Sequence, residues 1–89
     1  MNQRKAFEDT LTRLREIGYD IMGNESEGID YDHFEDMLRR IKAADAEGTP
    51  FSEAKIGRWL GWVQGAAAAG SCGGFSLDDA KKINQRWAD

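Results

Sequence analysis

Three glycines recur at every fourth position, Gly57, Gly61 and Gly65, inside the run Ser52-Glu-Ala-Lys-Ile-Gly-Arg-Trp-Leu-Gly-Trp-Val-Gln-Gly-Ala66. Residues four apart share a helix face, so the three form a ridge without side chains. Each costs a helix interior roughly 0.5–1 kcal/mol relative to alanine, so three in register imply close approach by another backbone or a flat ligand. At about 100° per residue, Trp62, Ala66, Trp59, Val63, Ile56, Ala67 and Leu60 fall on one broad apolar arc. Gln64, Gly57, Ala68, Gly61 and Gly65 fill the opposite side. A helix with no polar solvent face is a buried helix. In a monomer it would be the central element; in an oligomer its glycine side would face a second subunit.

Eighty-nine residues supply a single helical domain, 1–89. Such a chain buries only about 60–65% of the surface it exposes when unfolded. Cys72 is the sole cysteine and His33 the sole histidine, which excludes an internal disulfide and a Cys/His zinc set within one chain. Self-association is the remaining common source of buried surface. No cofactor or metal is expected, and the unpaired thiol fits a cytoplasmic setting.

The formal charge is −4, with 16 acidic and 12 basic side chains. That balance argues against binding DNA or RNA duplexes, while leaving room for a small anion in a local basic pocket. The opening Met1-Asn-Gln-Arg-Lys-Ala-Phe-Glu-Asp is charged and amphipathic, so no signal peptide is expected. Trp59 to Leu77 carries no charge, but its Gly, Ala, Gln, Ser and Cys content argues against a membrane span, as does the cluster Gly70-Ser-Cys-Gly-Gly74.

Four helices are expected. The first runs from about Arg4 to Ile17, with Phe7, Leu11, Leu14 and Ile17 on one face and Gly18 as its end. Tyr19 to Met22 continues it as a further turn, and Gly23 to Gly28 reads as an acidic loop. The second starts near Asp30 or Asp32, capped by those aspartates, and ends near Ala46, before Gly48-Thr-Pro50. Phe34, Met37, Leu38 and Ile41 are its apolar stripe. Ser52 caps the third, which runs to about Ala69, with Phe51 and Ile56 as a hydrophobic staple. Gly70 to Phe75 reads as a flexible connection. The fourth starts at Ser76, paired with Asp79, and buries Leu77, Ala80, Ile83 and Trp87. The fold class is therefore all-α: a compact bundle of about four helices with a central glycine-ridged helix, self-associating.

Arg58 stands out among the candidate site residues. Its neighbours are apolar or glycine, and no acidic residue lies four positions away. A forked guanidinium beside an aromatic face suits a phosphate and a base together. Lys55 is a second cation, Trp59 and Trp62 are stacking surfaces, and Gly57, Gly61 and Gly65, with Gln64 on the same side, permit approach. Arg39, Arg40 and Tyr19 are reserve contacts. Plain helix packing is the better explanation of the glycines, and core filling the better explanation of the tryptophans. His33 with Glu35 and Asp36 has no partner nucleophile, so no catalytic residues are expected. Gly70-Ser-Cys-Gly-Gly-Phe75 lacks the Gly-Lys-Ser/Thr ending of a phosphate loop, and no strand precedes it.

The stretch Ala54-Lys-Ile-Gly-Arg-Trp-Leu-Gly-Trp-Val-Gln-Gly65, followed by Phe75-Ser-Leu-Asp-Asp-Ala-Lys-Lys-Ile-Asn84, resembles a group of small proteins from tailed bacteriophages. Their shared pattern is close to Ala-Lys-x-Gly-Arg-Trp-Leu-Gly-x-x-Gln-Gly. The resemblance covers roughly residues 51–84 and brings no established chemistry with it. It implies a phage accessory protein working in the host bacterial cytoplasm. Its size and helicity are similar to those of phage proteins that sequester cyclic nucleotide immune signals. The implied partners are a cyclic oligonucleotide and further copies of the chain. The alternative is an acidic inhibitor of a host defence protein, or an assembly factor, acting through Glu25, Glu27, Asp30 and Asp32.

Overall fold

The computed structural model describes residues 1–21 and 30–88. The expected loop at Gly23 to Gly28, and Met22 before it, lie outside the described residues. Four helices follow in order: α1 (Gln3–Glu16), α2 (Tyr31–Ala46), α3 (Glu53–Gly70) and α4 (Leu77–Arg86). A short 3-10 turn, Tyr19–Ile21, follows α1, as expected from its sequence. No strand occurs among the described residues.

Local chemistry sets the helix ends. The Asn2 side chain accepts from the Lys5 N–H at 3.1 Å and caps α1, whose chain then turns at Gly18 in the left-handed region (φ +81°). Ser52 Oγ accepts from the Lys55 N–H to start α3. At α4 the capping box is complete: Ser76 Oγ accepts from the Asp79 N–H at 3.1 Å, and Asp79 accepts from the Ser76 N–H at 2.9 Å. Those bonds hold the Asp79 carboxyl below its ordinary pKa. The start of α2 departs from expectation. Asp30 occupies the cap position, but its side chain makes no capping hydrogen bond.

The core joins Phe7, Leu11 and Leu14 of α1 to Phe34, Met37 and Ile41 of α2, Ile56, Leu60, Val63 and Ala67 of α3, and Ala80 and Ile83 of α4. The innermost position belongs to α1, which packs against each of the other three helices and buries Ala6, Phe7, Thr10, Leu11 and Leu14. Helix α3 also meets all three, but one arc of it, including Gly61, Trp62 and Gly65, stays exposed. The expectation that α3 is buried all round is therefore corrected: only about half of it turns inward.

The connection from α3 to α4 is also corrected. Phe75, expected in a flexible link, is 1% exposed, and Ser71 Oγ both accepts from its N–H and donates to its carbonyl. Leu77, expected in the buried face of α4, is 68% exposed. Phe75 fills the core at that corner, and Leu77, the first residue of the helix, points outward.

Charged clamps tie the helices together at the rim. Arg4 of α1 holds Asp45 of α2 through two bonds of 2.7 and 2.8 Å, and Glu53 of α3 at 3.0 Å. The Asp45 carboxyl is held below its ordinary pKa by that guanidinium. Asp9 accepts from Arg86 and from the Trp87 indole N–H, and the Asn2 N–H donates to the Trp87 carbonyl. These bonds fasten the end of α4 to α1.

Candidate functional site

Helices α2 and α3 are joined by a short connection through Gly48 and Pro50 and leave a seam between them. Along α2, His33, Asp36, Met37 and Arg40 are spaced by three, four and seven, which places them on one side of the helix. Arg58, Trp59 and Trp62 answer them from α3. Together these seven residues line a cleft of about 390 Å³, within the size range of small-molecule sites.

The aromatic wall is built outward from the core. Buried Tyr19 stacks on Phe34, with ring centroids 5.9 Å apart and planes 21° from parallel. The Trp62 ring meets Phe34 edge-on at 6.0 Å and His33 edge-on at 5.9 Å. These contacts fix the indole, yet Trp62 remains 46% exposed. Trp59 is half-buried and meets the edge of Phe51 at 5.3 Å.

Charge in the cleft is partly committed. Asp36 accepts from Arg39 and, at 2.8 Å, from Arg40 Nε. Arg39 first, and Arg40 with it, holds the Asp36 carboxyl below its ordinary pKa, so it stays ionised near neutral pH with its charge matched. Arg58 differs: it is exposed and has no hydrogen bond or ion pair among the described residues.

A second cleft of about 330 Å³ adjoins the first and shares Arg40 and Trp59 with it. It extends toward the start of α3, where Phe51 and Lys55 line it. The Lys55 ammonium lies over the Phe51 ring at 3.9 Å and 5.1 Å from the Trp59 centroid. Such a placement is a cation–π contact with both rings.

The residues singled out from sequence are thus divided by the fold. Arg58, Trp59, Trp62 and Arg40 meet in the first cleft, while Lys55 and Arg39 reach the second. Tyr19 lies behind the wall, 2% exposed. Gln64 turns into the core, where its amide and that of Asn84 exchange two hydrogen bonds and its Nε2 also donates to Thr10 Oγ1. Gly57 faces α1, and a Cβ added there would sit 3.0 Å from Gln3 Oε1. Gly61 and Gly65 face open space, with nothing within 4 Å of an added Cβ. The glycine ridge therefore does not line the cleft.

His33, Asp36 and Met37 belong to the cleft but were not expected there. Their signal was available, since Met37 belongs to the Phe34–Met37–Ile41 stripe and His33 and Asp36 flank it on the side shared with Arg40. Among the described residues no group of three or more His, Cys, Asp or Glu side chains is placed to hold a metal ion. No helix of the described chain is long and apolar enough to cross a membrane. Comparison with protein families, curated proteins and solved structures finds no match for this chain.

Proposed function

We propose that the protein is a phage accessory protein that binds a cyclic oligonucleotide in the α2–α3 cleft and sequesters it without chemistry, countering a host immune signal. One observation carries the reading: Arg58, a cation without a partner among the described residues, stands beside two tryptophans in a cleft of ligand size. A guanidinium at the edge of such a cleft, unpaired among the described residues, is suited to bidentate contact with a phosphodiester. The exposed Trp62 ring offers a face to a base, and aromatic stacking is tolerant of base identity.

Self-association belongs to the same proposal. Gly61, Trp62 and Gly65 form an exposed strip of α3 next to the cleft mouth, and a second copy laid there would cover the ligand. The competing reading is an acidic inhibitor that docks on a host protein through Glu25, Glu27, Asp30 and Asp32, the first two of which lie outside the described residues. The exposed Trp62 beside bare backbone would also suit a protein surface.

A thermal-shift panel of cyclic di- and trinucleotides tests the proposal. A ligand that binds only the folded state raises the melting temperature, by about 2.7 kcal/mol of stabilisation at one hundred times its Kd. Arg58→Ala should abolish the rise with helical content unchanged. An Arg58→Ala protein that binds as well as the parent contradicts the assignment of that residue. A panel without any response, with a host protein retained instead, favours the inhibitor.

A further inference from the structure

We infer that the groove is built for a dinucleotide, with one base and one phosphate on each side of Trp59. The inference rests on the nucleotide reading above and narrows its ligand class. The two clefts, about 390 and 330 Å³, are not separate features, because both are walled by Trp59 and Arg40. Each adds a stacking ring and an uncommitted cation of its own: Trp62 and Arg58 in the first, Phe51 and Lys55 in the second, where Arg39 also lies but is paired with Asp36. Neither Arg58 nor Lys55 has a carboxylate partner among the described residues. The groove thus repeats one recognition set twice about a shared partition.

Charge agrees with the count. Arg39, Arg40, Lys55 and Arg58 face two carboxylates, Asp36 and Glu47, across the two clefts. The local excess of two positive charges stands on a chain whose formal charge is −4. A cyclic dinucleotide carries one negative charge on each of its two phosphodiesters. A mononucleotide would fill one lobe and leave the other lobe's ring wet and its cation unmatched. In the second lobe the Lys55 ammonium already lies over the rings, so a short swing of its flexible stem trades the cation–π contact for a phosphate.

Isothermal titration calorimetry with cyclic di-AMP, cyclic di-GMP, their cyclic mononucleotides and cyclic tri-adenylate reads this directly. One dinucleotide should bind at least about tenfold more tightly than its mononucleotide, the equivalent of one charge-assisted contact. Lys55→Gln should remove about that tenfold from the dinucleotide and leave mononucleotide binding within about twofold. Arg58→Ala should weaken both. Both positions lie on the rim of α3, and a circular-dichroism spectrum like the parent's is required of each variant before its affinity is read. Equal affinity for mono- and dinucleotide, tighter binding of the trinucleotide, or an indifferent Lys55→Gln overturns the inference and leaves the nucleotide reading standing. Absence of heat with every probe overturns both.

Discussion

Where α3 meets α1 and α4, its one inward amide is satisfied: Gln64 exchanges two hydrogen bonds with Asn84 and donates to Thr10, among Leu60, Val63 and Ala67. Where α3 meets α2, Arg58 has no ion-pair partner among the described residues, Trp62 is half out in solvent, and a cleft remains open. The same helix therefore holds the fold together on one flank and leaves recognition chemistry uncommitted on the other. A buried polar group left unpaired costs about 1–3 kcal/mol, whereas an exposed cation costs almost nothing. A small domain can carry spare binding capacity on its rim and not in its core.

Substitutions that separate the two flanks sharpen this contrast. The largest effect is expected inside, at fully buried Phe7: Phe7→Ala should cost about 3–5 kcal/mol in urea denaturation. Gln64→Ala, which strands the Asn84 amide, should cost about 1–3 kcal/mol by the same measurement. Gly61→Ala and Gly65→Ala should each gain about 0.5–1 kcal/mol, because an added Cβ meets nothing. If those substitutions instead lower the oligomer fraction in analytical ultracentrifugation, the strip is an interface between copies. Gly57→Ala should gain less than either, since its Cβ presses on the Gln3 amide. The smallest stability effect, within about 0.5 kcal/mol, is expected for Arg58→Ala. A large loss there would mean that Arg58 is structural and would break the contrast.

Local features were legible in the sequence. Ser52, Ser76 with Asp79, and Gly18 mark helix ends through short-range chemistry, and the structure has them in those roles. Helical spacing also brought Arg58, Trp59 and Trp62 together. What was not legible depends on contacts distant in sequence. Gln64 looks like part of the glycine side on a wheel, and only Thr10 and Asn84, 54 and 20 positions away, turn it into the core. The same limit hides the inner position of α1, because the broad apolar arc of α3 pointed to that helix as the central element. Composition could not separate Leu77 from Phe75 at the last corner. The Ser71 hydroxyl bonds to Phe75 pull the ring inward there, and the leucine is left outside. His33, Asp36 and Met37 become site residues only because α3 lies across them.

Native mass spectrometry of the parent protein and Arg58→Ala, each mixed with cyclic di- and trinucleotides, tests the central claim most directly. The account predicts that the parent retains one cyclic dinucleotide at fixed stoichiometry and releases it chemically unchanged, while Arg58→Ala stays bare. A parent that ignores every nucleotide, or an Arg58→Ala protein that holds the ligand equally well, would contradict it.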